Sequence, residues 1–132
     1  VKIVSDGIKD ILVDEIISLV FGRNLFIGFE PPNPDNCVTI YDTGGAGLDL
    51  AYDRSELYHR ATFQVRVRNN SYVKGLELAN TIMETLHGRG HEEWGDSIYE
   101  LIQCTSGPAF IGRDEHDRMI FVVNFEVQRR DV

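Results

Sequence analysis

An α+β domain is what this sequence predicts: a mainly antiparallel sheet with two helices packed on one of its faces. Three observations carry that expectation. Ile8, Ile11, Leu12, Ile16, Leu19 and Val20, and later Leu76, Ala79, Met83 and Leu86, recur at three- and four-residue spacing, as the apolar stripes of two helices do. Between Tyr58 and Arg68, apolar Ala61, Phe63, Val65 and Val67 alternate with polar Arg60, Thr62, Gln64, Arg66 and Arg68. That alternation suits a sheet with one buried side and one polar side. From Ser97 onward the chain reads as β. With 132 residues, 42% hydrophobic and 26% charged, it holds apolar material for one core, so residues 1–132 are expected to form a single domain.

The elements follow in order. Ser5 to Arg23 reads as the first helix, with Ser5 and Asp6 suited to its N-cap and Gly22 placed to stop it. Leu25 to Phe29 is a short extended piece. Pro31, Pro32 and Pro34 then forbid regular structure. Cys37 to Asp42 is a strand, and Gly44, Gly45 and Gly47 open a mobile loop reaching about Ser55. Tyr58 to Arg68 is the clearest strand. Ser71 caps the second helix, Tyr72 to His87, and Gly88 ends it. Arg89 to Asp96 is a polar loop carrying Trp94. Ser97 to Thr105 and Ala109 to Arg113 are strand, interrupted by Ser106, Gly107 and Pro108, and Arg118 to Gln128 is the last strand. Met119 to Val123 is apolar on both sides, which places that strand at the sheet centre or under a partner.

The formal net charge of −8 disfavours sequence-independent binding to a polyanion. The longest apolar runs are too short to cross a bilayer, so no membrane partner is expected. No basic-then-apolar leader is visible, and Val1 is not a start methionine, so removal of at least the first residue is expected. Cys37 and Cys104 are expected to be free thiols in small core positions.

Several residue groups invite a chemical reading. Asp42-Thr43-Gly44 resembles the catalytic triplet of aspartic proteases, and Ile111-Gly112-Arg113-Asp114 resembles the late motif of the dimeric retroviral ones. Such an enzyme pairs two Asp42 carboxylates across a dimer. Two long helices, one lying where a flap hairpin belongs, argue against it, and Asp-Thr-Gly-Gly equally suits a turn. His87 and His91 stand four apart beside Glu92 and Glu93, but Gly88 and Gly90 deny them a rigid helical platform for a metal. Gly44-Gly45-Ala46-Gly47 lacks the lysine and following helix of a phosphate loop. No metal and no cofactor is therefore expected. Arg60, Arg66 and Arg68 line one strand face, and a small nucleic-acid-binding module is the alternative reading. No aromatic residue is interleaved for base stacking, so a subunit contact with Glu126 as counter-charge is preferred.

Several segments taken together resemble a known family. They are Gly28-Phe29-Glu30-Pro31 leading to Pro34-Asp35-Asn36-Cys37-Val38, then Ile40-Tyr41-Asp42-Thr43-Gly44-Gly45, Phe63-Gln64-Val65-Arg66-Val67-Arg68, Leu86-His87-Gly88, Ser106-Gly107-Pro108, Gly112-Arg113-Asp114 and Val123-Asn124-Phe125. From about Phe26 to the C-terminus the chain resembles the small bacteriophage minor capsid family, which is similar to tail-terminator and tail-to-head joining (tail completion) proteins. The resemblance implies a homo-oligomeric ring, a hexamer, that caps the tail tube, ends its polymerisation and joins it to the head completion or connector protein. It implies no catalytic residues. It places the protein in the tail-neck region of the virion, made in the host bacterial cytoplasm, with DNA passing through the channel unbound. In such a ring the expected contact residues are Arg60, Gln64, Arg66, Arg68 and Glu126 on the sheet face, with Pro31, Pro32, Leu48, Leu50 and Tyr52 on the two loops. Acidic side chains are expected to line the channel, where like charge prevents sticking.

Overall fold

The computed structural model describes the backbone of residues 3–50 and 57–131, and the side chains of 3–45 and 60–130. The elements run α1 (Val4–Glu15), β1 (Leu25–Ile27), β2 (Cys37–Leu50), β3 (Leu57–Asn69), α2 (Tyr72–Leu86), β4 (Glu92–Trp94), β5 (Ser97–Arg113) and β6 (Met119–Asp131). One six-stranded sheet has the order β1-β2-β3-β6-β5-β4. It is mixed rather than mainly antiparallel, because β1 runs parallel to β2. The proline-rich connection between them, residues 28–36, returns the chain in the same direction, which a two-residue hairpin turn cannot do.

The first helix is shorter than its apolar stripe. It ends at Glu15, and Ile16 is already extended at φ −117 and ψ 101. The side chain of Asn24 closes the following turn: it accepts from the Val20 N–H at 2.7 Å and donates to the Ser18 carbonyl at 2.8 Å. With those backbone groups satisfied outside a helix, Leu19 still reaches the core at 4% exposure, while Val20 turns outward at 45%. The second helix begins as expected, with Ser71 Oγ accepting from the Lys74 N–H at 3.3 Å. Its buried side is Gly75, Ala79, Ile82 and Leu86, rotated from the expected stripe, so that Leu76 and Met83 are only half-buried. The Phe121 ring occupies the space a side chain at Gly75 would need, and this close approach fixes the rotation.

β2 does not stop at the glycines. It stays paired with β3 as far as Leu50 opposite Leu57, with register shifts at Asp42/Gly44 and Gly45/Gly47. Most of the expected mobile loop is therefore bulged strand, and its remainder, 51–56, lies outside the described residues. Gly45 has φ +142, and any side chain there would collide with the Arg60 carbonyl on β3. The expected polar loop after α2 contains β4, which forms a tight hairpin with β5 (Trp94 opposite Ser97). The expected break at Ser106-Gly107-Pro108 is a pair of register shifts inside a continuous β5, the setting in which a strand tolerates proline. β6 lies inside the sheet between β3 and β5, as its two-sided apolar half predicts.

Within the core the Phe63 and Phe125 rings stack at 4.9 Å. Around them sit Val38, Ile40, Val65, Val67, Phe121, Val123 and Val127 from the strands, and Ile8, Ile11, Leu12, Ile82 and Leu86 from the helices, all without solvent exposure.

Candidate functional site

The other side of the sheet is not an open polar surface. The segment 28–36 between β1 and β2 lies across it as a strap, and three arginines tie the strap down. Arg68 Nη2 donates to the carbonyls of Pro31 at 2.7 Å and Pro34 at 2.6 Å, and its Nε donates to the Asp35 carbonyl at 3.1 Å. Arg118 Nη1 donates to the Pro32 carbonyl at 2.6 Å and stands 3.3 Å from Asp35 Oδ1. Arg66 pairs with Glu30 at 3.1 Å, and Arg68 reaches the other Glu30 oxygen at 3.4 Å. The chemistry follows from proline. Without regular structure the strap has carbonyls but no ladder to satisfy them, and a guanidinium fork supplies several fixed donors at once.

The expected contact residues therefore separate. Arg68 is 2% exposed, and its hydrogen bonds go to the strap of its own subunit. Arg118, 5% exposed and not among the expected contacts, donates to the same strap. Arg66 is half-buried against Glu30, which takes the counter-charge role expected of Glu126. Gln64 donates to Asn124 at 3.0 Å, and Asn124 donates to Ser106 at 2.9 Å, a polar ladder across three strands. Arg60 and Pro32 are exposed, and Pro31 and Glu126 are half-buried. The side chains of Leu48, Leu50 and Tyr52 lie outside the described residues. Sequence reading missed the roles of Glu30 and Arg118. The available signal was a run of prolines whose carbonyls need donors, in a chain whose most regularly alternating strand carries arginines on its polar side.

Asp42 serves the first helix. Its carboxylate accepts from the Ser5 N–H at 3.1 Å and the Ser5 hydroxyl at 2.6 Å. Ile3, at the N-cap position, makes no side-chain cap bond, so a carboxylate from β2 satisfies an orphan donor and meets the positive end of the helix dipole. Both oxygens that a protease dyad needs are thus engaged. Asp42→Ala is expected to lower stability by about 1–2 kcal/mol, read as an earlier urea midpoint with an unchanged sheet signal.

Asp114 also holds structure. It accepts from the N–H groups of His116 and Arg118 at 2.9 Å each and pairs with the Arg118 guanidinium at 2.7 Å. Burial alone would raise its carboxyl, but these donors outweigh it and hold the value at about 2. The folded value lies below the ordinary carboxylate range, near 3.9. Its contribution is therefore complete above about pH 4 and is lost as pH falls through 2. Asp114→Asn is expected to flatten that part of the stability-versus-pH curve, measured by denaturant titration at each pH.

His87 Nδ1 accepts from the Cys104 N–H at 2.9 Å, and His91 Nδ1 faces Glu100 at 3.0 Å, so the two imidazoles serve different partners. Among the described residues no cluster of three or more His, Cys, Asp or Glu is arranged for a metal. Both cysteines are free, and burial pushes both thiols up, away from the thiolate form. An open cavity of about 470 Å³ is lined by Met83, Glu84, His87, Cys104 and Gly107. There burial disfavours the Cys104 thiolate, and His87 Nδ1 is taken up by the Cys104 N–H.

A family model described as bacteriophage tail terminator protein matches residues 9–130. No curated protein matches the chain. Among solved structures, a chain of the virion of the native gene transfer agent particle superposes with a TM-score of 0.70 at 14% identity, covering 96% of this chain and 94% of that chain. At that identity the likeness is one of fold.

Proposed function

The chain belongs to the bacteriophage tail terminator family, which makes it a structural protein of the phage tail, and on that premise we propose that it closes into a homohexameric ring. The ring caps the tail tube, ends its polymerisation and joins it to the head completion or connector protein. The observation that carries this reading is the extent of the family match, residues 9–130 of 132.

The geometry supports the role. Arg66, Arg68 and Arg118 stiffen the subunit by holding the strap, so Pro31 and Pro32 become parts of a fixed surface that a neighbouring ring can meet. Arg60, Gln64 and Glu126 flank that surface, and the paired far ends of β2 and β3, from Gly44 opposite Thr62 to Leu50 opposite Leu57, supply the contact with the tube. Arg66 and Arg68 then contribute to the contact indirectly, through the strap. Both helices cover the opposite face of the sheet. Supporting that arrangement, Gly7 abuts Tyr99 and Gly75 abuts Phe121, and Tyr99 stands opposite Arg129, which shares the odd-numbered side of β6 with Phe121. Acidic residues line the channel, and the net charge of −8 keeps DNA from adhering.

The test is polymerisation of the cognate tail-tube protein with and without this protein, followed by electron microscopy. A six-fold ring at one end of tubes of arrested length is the expected result. Tubes that grow equally long with the end bare would overturn the reading.

A further inference from the structure

Each end of the sheet leaves a strand edge open. On its outer side β2 is covered by β1 only from Val38 to Ile40. From Tyr41 to Leu50 no strand lies there among the described residues. At the other end β4 covers β5 only from Ser97 to Tyr99. The connection after α2 then takes over: Gly88 N–H donates to the Ile102 carbonyl, Ile102 N–H donates to the Arg89 carbonyl, both at 2.8 Å, and Cys104 N–H donates to His87. From Thr105 to Gly112 no strand flanks β5 on that side among the described residues, and Phe110 and Ile111 are 43% and 55% exposed.

Neither edge is defended by charge. Thr105 to Gly112 carries no charged residue, and neither does Thr43 to Leu48. Soluble proteins ordinarily place lysines or other charges on an open edge because unpaired N–H and C=O groups template another strand. The strand directions fit one occupant. β2 and β6 run one way and β3 and β5 the other, so β5 of one copy and β2 of the next meet antiparallel and continue the alternation. Aligning the two uncharged runs brings Arg113 beside Asp42 of the partner subunit, an opposite-charge match at the end of the seam. The cavity lined by Met83, His87, Cys104 and Gly107 opens where the free part of β5 begins and offers a socket for an apolar side chain of the arriving strand.

We infer that a second copy of this chain adds its β2 edge to the β5 edge of the first, head to tail, so that one sheet runs on from subunit to subunit. This deepens the ring reading and rests on it, since a heterologous contact closes only as a ring. Two edge-blocking variants test it, Thr43→Lys on β2 and Ile111→Lys on β5, each at an exposed position. Sedimentation of each variant alone should give a folded monomer, with the unfolding midpoint of the wild type for Ile111→Lys and a slightly earlier one for Thr43→Lys, which loses the exposed Thr43–Thr62 hydroxyl contact at 2.8 Å. An equimolar mixture should give a dimer and nothing larger, because one competent β5 edge and one competent β2 edge remain. In the assembled wild type, amides of 43–50 and 105–112 should exchange at least ten-fold more slowly than in the dilute monomer. Variants that still assemble as rings, or a mixture that stays monomeric while wild type assembles, overturn the strand pairing and leave the ring standing. Wild type that stays monomeric at every concentration and on tail tubes overturns both.

Discussion

Arg68→Ala is expected to release the proline strap and to cost about 3–5 kcal/mol, the range for breaking a buried ionic network from one side. The side chain is almost wholly buried, and three carbonyls and one Glu30 oxygen face it within 3.4 Å. Removing it leaves those acceptors desolvated with no donor, and that penalty exceeds the modest net value of the bonds themselves. A loss of this size is a large part of the whole stability of a small domain. Denaturant unfolding should show the lower midpoint, and limited proteolysis should cut within 28–36 before the sheet unfolds. Arg68→Lys keeps the charge but not the planar fork, so it should recover only part of the loss. Equal stability of wild type and Arg68→Ala would mean that the strap is held by something else. Arg66→Glu is expected to act more weakly, because Arg66 is nearly one-third exposed and its pair with Glu30 is screened by solvent.

Val65→Asp is expected to unfold the subunit. Val65 has no solvent exposure and stands in register between Ile40 on β2 and Val123 on β6. An aspartate there must either ionise without a partner or take up a proton, and either route costs roughly 4 kcal/mol or more. Val65→Ala is the control for lost volume alone, at roughly 2 kcal/mol. Circular dichroism at neutral pH should separate them, with the alanine variant folded and the aspartate variant not. A folded Val65→Asp subunit would place β3 in another register, with its apolar set facing water.

Most of the sheet's inner face was legible because alternation is a local property. Phe63, Val65 and Val67 fall on one side of β3 whatever lies elsewhere, and the two-sided apolar run Met119–Val123 marked β6 as an interior strand. Ser71 and Gly88 bounded α2 from chemistry within a few residues of the helix ends. The failures share a cause. Val20 continues the α1 stripe, yet Asn24 bonds the backbone around it into a turn. Gly44, Gly45 and Gly47 read as loop, yet β3 approaches Gly45 so closely that only glycine fits a strand there. Arg66 and Arg68 alternate outward as expected, but "outward" meant beneath a strap whose prolines gave no sign of where they would lie.

By itself, then, the sequence determined the α+β class, the inner face of the central strands and the second helix, because each is written in spacings of a few residues. Only the tertiary structure decided that β1 runs parallel to β2, that Asp42 caps a helix 37 residues away, and that arginines on β3 and before β6 bind the strap. Those contacts join groups distant in sequence, and orphan carbonyls and N–H groups accept any donor or acceptor that folding brings within reach, so no local pattern names the partner.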